Sequence, residues 1–396
     1  MSDLKNNIIE EYFETIGMYE INDIDEFFEN IKQKYGMDVA NDIDMAMSLR
    51  SYSNNGKIYS IKNSNLELSL DFASYSFDLY KLFFEWIIQQ GDLNNKKILD
   101  FACDNGIVTC FLGLIYPDAK IVGIDKGNKG IKCARELAKR LNLKNVEFEV
   151  VDAKKMDKFF KKEKFDTIIS IRSILEIVSL PEVKRHWTLE ETINSLMVSN
   201  SITKFIKSIR KIMSNDAKLI TFERLAGFEE IFHFIKCMRE SGLYVDTNNM
   251  CKIQFHELGD YQCMPILVFD RNKKDEIELD QFIKLYDEMP YINKKVDFKE
   301  DFKKEIEFNN IKDKQLIFGV QIEYADNSGI KREEVWKTTN GEIICYEYTN
   351  IGYRELTMEN LDDEVIDEIK KNADFVKCMG NKVKEYISIE ERDLIK

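Results

Sequence analysis

The chain has 396 residues, which is more than one hydrophobic core usually organises, so we expect two or three domains. Hydrophobic residues make up 44% of the chain and charged residues 32%, a balance typical of globular proteins that excludes an intrinsically disordered one. The formal net charge of −14 would repel a polyanion, so nucleic acid is a disfavoured partner.

The cysteines and the apolar runs indicate the compartment. The 8 cysteines form no CxxC pair and no His lies at metal-ligand spacing, so we predict reduced thiols, no metal site and a cytoplasmic protein. The first residues lack a basic region followed by an apolar run, and no apolar run reaches the ~18 residues that span a bilayer. We therefore expect neither secretion nor membrane insertion.

Residues 1–95 are predicted to form a mostly helical N-terminal region. A polar segment at Ser51 to Lys57 interrupts it, and apolar residues from Phe77 to Ile88 recur at helical spacing. Aromatic side chains of this region could wall a pocket and make it a substrate lid, or they could form an ordinary helix-to-sheet core. The aromatic residues concerned are Phe72, Tyr75, Phe77, Phe83, Phe84 and Trp86.

Residues 96–272 alternate short apolar runs with helical segments, which predicts a doubly wound α/β domain. The helical segments are Ile107 to Ile115 and Ile131 to Leu141, and a longer helix should begin at the capping box Thr188 to Glu191 and lead into a strand at Leu219. The apolar runs suit parallel strands covered on both faces, and two later ones should add an antiparallel edge pair. The first five runs lie at 98–102, 120–125, 146–151, 166–171 and 219–223, and the edge pair at 252–258 and 264–270.

Residues 273–396 are predicted to form a C-terminal α+β domain. The charge run at 271–280 favours a domain boundary near residue 273, although a solvated helix start is an equally common origin of such a run. Strand-like runs follow, and Asn340-Gly341 predicts a type I′ hairpin in an antiparallel meander. We expect this domain to mediate homodimer formation.

The chemistry is concentrated where the first apolar run ends. Strand residues 98–102 lead into a tight turn at Cys103 to Asn105, and Gly106 opens a helix, so backbone N–H donors can approach a ligand. Asp125 stands nineteen residues after Gly106, at the end of the next strand. A carboxylate there can accept both hydroxyls of a ribose.

This segment resembles the class I methyltransferases that use S-adenosylmethionine. The first motif of that family is matched by Asp100, Ala102, Cys103, Asp104 and Gly106. The later landmarks follow in order over residues 96–270, with Asp125 after the second strand, Asp152-Ala153 after the third and Phe165-Asp166 opening the fourth. The resemblance implies a Rossmann-like, seven-stranded domain and S-adenosylmethionine as cofactor.

The same resemblance implies a role for each matched position. The turn backbone would contact the methionine part, Asp125 the ribose, Lys126 the face of the adenine region, and Asp152 the adenine amino group. Ala153 is also expected to belong to the cofactor site. Ile171 and Arg172, after the fourth strand, would border the transferable methyl group.

Two residues depart from the family pattern. Ala102 replaces the commonest glycine, which we expect to be a mild change, and Asp104 replaces the second glycine, where a positive φ is often needed. An NAD-binding loop is the alternative for this turn, but of the three glycines in that fingerprint this chain keeps only Gly106.

Two residues after the fourth strand are candidate general bases, Glu176 and His186, because this fold places its substrate loops at the carboxyl ends of the strands. Each also has a structural interpretation, a solvated helix for Glu176 and an exposed loop for His186. His233 and His256 are expected to pack or to face solvent.

Absent signatures narrow the methyl acceptor. The segment after the fourth strand lacks the Asn/Asp-Pro-Pro-aromatic signature of enzymes that methylate amino groups of nucleic acid, and no Pro-Cys pair supplies a pyrimidine C5 nucleophile. A small molecule is the first hypothesis for the acceptor. A protein, peptide or RNA acceptor, or a non-catalytic interaction protein with this fold, are the alternatives.

Overall fold

The computed structural model describes residues 2–48, 56–225, 227–359 and 362–395. They fall into two compact units, one of residues 1–181 with 198–296 and the other of residues 182–197 with 297–396. The predicted polar segment 51–57 lies largely outside the described residues. No helix in the described ranges is long and apolar enough to cross a bilayer.

The first unit is built on a nine-stranded sheet in the order β3-β2-β1-β4-β5-β8-β7-β9, with β6 paired to β8. The first five strands in this order are parallel, and β8 runs antiparallel to both β5 and β7. The strands are β1 Lys97–Phe101, β2 Lys120–Asp125, β3 Val146–Val150, β4 Phe165–Ile171, β5 Met213–Phe222, β6 Tyr244–Val245, β7 Cys251–Glu257, β8 Asp260–Asp270 and β9 Tyr291–Ile292. The predicted doubly wound fold with an antiparallel edge pair is therefore confirmed, and β6 and β9 add two strands of two residues each.

Helices cover this sheet and form the N-terminal region, which is mostly helical as predicted. Those of the N-terminal region are α1 Ser2–Ile16, α2 Ile24–Tyr35, α3 Met37–Ser48, α4 Gly56–Lys62, α5 Leu66–Ala73 and α6 Phe77–Gln89. Those that follow are α7 Ile107–Ile115, α8 Asn128–Arg140, α9 Met156–Phe160, α10 Ile174–Ile177, α12 Asn200–Ile212, α13 Phe228–Glu240 and α14 Leu279–Glu288.

Three aromatic residues of α6 form core rather than a pocket wall. Phe83 and Phe84 are fully buried, Phe84 stacks on Phe111 of α7 with ring centroids 3.8 Å apart, and Phe83 stacks on Phe222 of β5. Trp86 is buried in the same core cluster. These three residues therefore follow the helix-to-sheet alternative.

The charge run at 271–280 does not end the first unit. It leads into α14, where Phe282 and Tyr286 pack against Phe228 of α13 with centroids 5.0 and 5.2 Å apart. The apolar face of α14 thus keeps residues 273–296 with the first unit. The two compact units divide the chain differently from the three predicted domains, which stay a prediction.

The second unit contains a five-stranded antiparallel sheet in the order β13-β12-β11-β10-β14. Its strands are β10 Lys314–Glu323, β11 Ile330–Thr338, β12 Ile343–Thr349, β13 Arg354–Glu359 and β14 Lys382–Tyr386. Its helices are α11 Leu189–Ser195, α15 Asp301–Asn310, α16 Asp362–Cys378 and α17 Ile389–Leu394. The predicted meander flanked by helices is therefore present.

The turn between β11 and β12 corrects the predicted type I′ geometry. Gly341 has a φ of +88°, whereas Asn340 is not among the described residues with positive φ. The N–H of Gly341 donates to the carbonyl of Thr338, which matches the longer hairpin loop that ends in one left-handed residue.

The predicted long helix from Thr188 is also wrong in length. Thr188 and Glu191 do form the capping box, but α11 ends at Ser195. A separate helix, α12, starts after Ser199, whose side chain accepts from the N–H of Ser201. The chain between them is extended at Leu196.

The segment 182–197 is held in the second unit by a buried ion pair. The side chains of Arg354 and Glu305 are 3% and 8% exposed, and Nε lies 2.9 Å from Oε2. Arg354 also donates to the carbonyls of His186 and Trp187, while Glu305 accepts from the N–H of Leu189.

We expect Arg354→Met to lower the free energy of unfolding by about 3–5 kcal/mol, because Glu305 is left as an uncompensated buried charge. Chemical denaturation with amide hydrogen exchange at Leu189 measures this. The matched control Lys382→Met breaks a surface pair whose side chains are 73% and 43% exposed, and it should change stability by less than about 1 kcal/mol. Equal effects of the two variants, or unchanged exchange at Leu189, would contradict the anchoring role of Arg354.

Candidate functional site

The turn that follows β1 has an unusual backbone. Ala102, Asp104 and Gly106 have φ values of 55°, 49° and 79°. Ala102 therefore does more than add one methyl group, since its backbone occupies the left-handed region that an L-residue adopts at a cost. The positive φ expected at Asp104 is present.

Gly106 is required by packing as well as by its φ. A Cβ at this position would lie 2.8 Å from Cβ of Ala134 and 2.9 Å from Cζ of Phe148. The N–H of Gly106 donates to the carbonyl of Cys103, and the N–H of Cys103 donates to the carbonyl of Ile124 in β2. The turn is thus pressed against α8 and tied to β2.

Asp125, at the carboxyl end of β2, links this turn to the next one. Its Oδ2 accepts from the N–H of Asp104 at 3.2 Å, and its Oδ1 accepts from the N–H of Gly127 at 2.6 Å. Burial raises the pKa of Asp125, and the negative charge of Asp104 raises it further. The predicted ribose-binding carboxylate therefore lies beside the turn.

Asp100 lies inside β1 and is only 3% exposed. Its Oδ2 accepts from the hydroxyl of Thr109 at 2.5 Å. Burial raises the pKa of this carboxyl to about 7. Asp100 can therefore act on a ligand through its charge and through its support of α7.

The side chain of Asp104 is bound by two residues that the sequence interpretation did not identify. Lys62 forms an ion pair with Oδ2, and Asn63 donates to Oδ1 at 2.6 Å. Ser69 continues the network, because it donates to Asn63 and accepts from Asn105. Lys62 and Asn63 lie about forty residues before Asp104, and no local pattern connects them.

The other matched positions lie at the same edge of the sheet. Asp152 accepts from the N–H of Lys154 and begins a short 3₁₀ turn, and the neighbouring Val151 donates its N–H to the carbonyl of Asp125. Ala153 is buried and Lys126 is exposed. This arrangement brings Asp152 beside Asp125, as its predicted role requires.

Ile171 ends β4 beside Phe222, and Arg172 follows with a φ of 51°. The Arg172 guanidinium makes two contacts to Glu257 of β7, with Nη1–Oε1 at 2.6 Å and Nη2–Oε2 at 3.2 Å. It lies 5.1 Å from the ring centroid of Phe255. The sequence interpretation did not identify Glu257.

Glu176, a candidate base, is already engaged. It accepts from the hydroxyl of Tyr59 at 2.8 Å and pairs with Arg224 at 3.2 Å.

A second carboxylate that the sequence interpretation missed lies behind α10. Glu223 is 1% exposed and accepts from the hydroxyl of Ser170 and from the N–H groups of Ser173 and Ile174. Burial raises the pKa of Glu223 to about 7 against the opposing effect of these donors. Its position directly after an apolar strand was the available signal.

The histidines are distributed over both units. His186 belongs to the second unit, where its backbone N–H donates to the hydroxyl of Thr192. His233 is fully buried in α13, and the N–H of His256 donates to Asp78. The role of His186 as a base stays a prediction.

Comparison with known proteins agrees with this geometry. Residues 92–243 match the model of a methyltransferase domain family. A putative methyltransferase, 235L, of Invertebrate iridescent virus 6 is 32% identical over 88 residues, which are 22% of this chain and 29% of that protein. Ribosomal RNA small subunit methyltransferase G of Mesoplasma florum is 29% identical over 109 residues, 27% of this chain and 46% of that one. The chain therefore spans less than half the length of these relatives.

Among solved structures, a SAM-dependent methyltransferase from Aquifex aeolicus is similar with a TM-score of 0.34 and 16% identity, covering 50% of this chain and 92% of that one. The family match includes the turn after β1, Asp125, Asp152 and Arg172. Residues 92–243 therefore belong to the class I methyltransferases, the family that depends on S-adenosylmethionine.

Proposed function

We propose that the chain is an S-adenosylmethionine-dependent methyltransferase that acts on a small molecule. The observation that carries the proposal is the joint position of the turn after β1 and Asp125, linked by the hydrogen bond from the N–H of Asp104. The family match over residues 92–243 supports the same activity.

The residues present fit a cationic donor. Asp100, Asp104 and Asp125 are close enough for their charges to interact, and Lys62 forms an ion pair with Asp104. The negative charge that remains would favour a ligand with a sulfonium over its uncharged thioether. S-adenosylmethionine, when bound, supplies an activated methyl group.

The chain's own residues would orient that group. The turn backbone at residues 103–106 would hold the methionine part, Asp125 the ribose and Asp152 the adenine amino group, as the family resemblance implies. Proximity and orientation of the acceptor can lower the barrier by about 7–11 kcal/mol, so alignment is the protein's main task.

The contacts of the N-terminal region support a small acceptor. Lys62 and Asn63 bind the turn through Asp104, and Tyr59 contacts Glu176 after β4. These contacts cover two sides of the carboxyl edge of the sheet, which leaves less room for a macromolecule. The net charge of −14 disfavours RNA in particular.

Compartment and assembly are proposed on other grounds. We infer a cytoplasmic protein from the cysteines, which are scattered along the sequence without a CxxC pair. We propose a homodimer formed through the second unit, where Phe375, Met379 and Ile387 are each more than 60% exposed. Sedimentation of the purified chain measures the oligomer.

The proposed function predicts how Asp125 contributes to donor binding. Asp125→Ala should weaken binding of S-adenosylmethionine and S-adenosylhomocysteine about 100-fold, because the two ribose hydroxyls lose their charged hydrogen-bond acceptor. Isothermal titration calorimetry measures this, and Asp125→Asn provides a variant that keeps one acceptor oxygen for the backbone.

The matched control is Asp118→Ala, an exposed carboxylate just before the opposite end of the same strand. It should bind both ligands as the unchanged protein does. If the unchanged protein gives no binding heat with either ligand, the proposed activity is wrong and the non-catalytic alternative stands.

The second prediction concerns pH. Because burial raises the pKa of Asp100 to about 7, this group is protonated below that pH and ionised above it. A cationic ligand favours the ionised form of Asp100. As the pH rises from 6 to 8, the Kd for S-adenosylmethionine should therefore fall, relative to the Kd for S-adenosylhomocysteine, by roughly threefold.

The ratio of the two Kd values isolates the effect, because both ligands carry the same amino acid group. Asp100→Asn keeps the contact with Thr109 and removes the titrating group, so it should flatten the ratio. A ratio that stays constant with pH in the unchanged protein would contradict the role of Asp100.

A further inference from the structure

Arg172 presents a hydrogen-bond donor that the protein does not use. Its side chain is 9% exposed, and its Nε is buried with no hydrogen-bond partner in the described part of the chain. Its backbone has a φ of 51°, a strained conformation of the kind concentrated at functional sites. A buried donor without a partner indicates that another molecule supplies the acceptor.

The charge of Arg172 is already balanced. Glu257 takes both terminal nitrogens, and the hydroxyl of Ser76 donates to Oε1 of the same carboxylate at 2.6 Å. Glu257 is therefore occupied on both oxygens, and Nε is the guanidinium nitrogen that is left buried without an acceptor in the described part of the chain. An arginine nitrogen can only donate, so its partner must offer an oxygen or nitrogen lone pair.

Two tyrosine hydroxyls near Arg172 are also unused. Tyr75 and Tyr80 are half-buried and interact electrostatically with the guanidinium, and no hydrogen bond within the described ranges involves either hydroxyl. The charge of Asp104 also acts on Tyr80, and burial raises the pKa of Tyr80 well above its ordinary value. Tyr80 therefore lies in the neighbourhood of both the turn and Arg172, and it stays a donor at neutral pH.

We propose that Arg172, Tyr75 and Tyr80 bind a carboxylate of the methyl acceptor, so that the substrate class is a small carboxylic acid. This inference rests on the proposed methyltransferase function. An oxyanion with several lone pairs can accept from the Arg172 Nε–H and from both tyrosine hydroxyls. An ammonium group brings only donors and would leave the buried Nε–H of Arg172 without an acceptor.

Transfer to a carboxylate balances without a base. The attacking oxygen supplies the electron pair of the new O–CH₃ bond, and the pair of the breaking C–S bond returns to sulfur. The products are a methyl ester and an uncharged thioether, and no proton moves. This agrees with the engagement of Glu176 by Tyr59 and Arg224, since no free base is needed.

The test uses the full chain with methyl-labelled S-adenosylmethionine. Benzoate, cinnamate, hexanoate and decanoate are the carboxylate probes, and benzamide and benzylamine are the uncharged and cationic comparisons. We expect label in a product that mild base releases as methanol, with at least one carboxylate and with neither comparison.

Variants then assign the subsite. Tyr80→Phe should raise the KM for the carboxylate about tenfold with unchanged thermal stability, because its hydroxyl has no protein partner. Arg172→Lys keeps a cation for Glu257 but lacks Nε, and it should lower kcat/KM about 100-fold. The control Tyr116→Phe loses a bond to the carbonyl of Gly91, so it should lower stability and leave KM unchanged.

Binding of the methyl donor is measured on every variant. It separates failure of the proposed methyltransferase function from failure of the carboxylate assignment. Absence of donor binding to the unchanged chain overturns the proposed function itself. Donor binding with base-stable label, with label on the amine, or with no labelled carboxylate overturns the carboxylate assignment alone. Unaltered KM in Tyr80→Phe and unaltered kcat/KM in Arg172→Lys also overturn it.

Discussion

The close approach of α7 to α8 and β3 determines the geometry of the rest of the site. No Cβ fits at Gly106, and the turn after β1 reverses within a few residues, with positive φ values at Ala102 and Asp104. The same reversal brings the N–H of Asp104 to the carboxylate of Asp125. The tight packing, the strained backbone and the neighbouring carboxylate therefore occur together in one turn.

Neither Ala102 nor Asp104 is glycine, so the turn carries a conformational cost that other contacts must offset. The contacts of Asp104 can do so, since Lys62 and Asn63 bind both of its carboxylate oxygens. A glycine at this position would offer no side chain to the N-terminal region. Asp104, which departs from the family pattern in the sequence, is therefore the residue through which α4 and the segment after it are attached to the turn.

Local patterns predicted the parts of the structure that local physics determines. The parallel strands, the turn at Cys103 to Asn105 and the capping box at Thr188 were all readable, because apolar runs and short-range hydrogen bonds specify them. The contacts of Lys62 with Asp104 and of Arg172 with Glu257 join residues more than forty positions apart, so no spacing rule could reveal them. The predictions of the end of α11 and of the turn type at Asn340 were wrong for a related reason, since each feature depends on where the next helix or strand begins.

The distribution of paired and unpaired groups separates two halves of the site. Asp104, Glu257 and Glu176 each have a cationic partner, whereas no lysine or arginine in the described residues forms an ion pair with Asp100 or Asp125. Negative charge without a local partner therefore collects under the turn, while unused donors collect around Arg172. A cation is favoured at the first place and a lone-pair donor at the second, which is the polarity that transfer from a sulfonium to an oxygen nucleophile requires. Because Asp104, Glu257 and Glu176 are paired with cations, this polarity arises from a few residues of the site. It does not follow from the net charge of the chain.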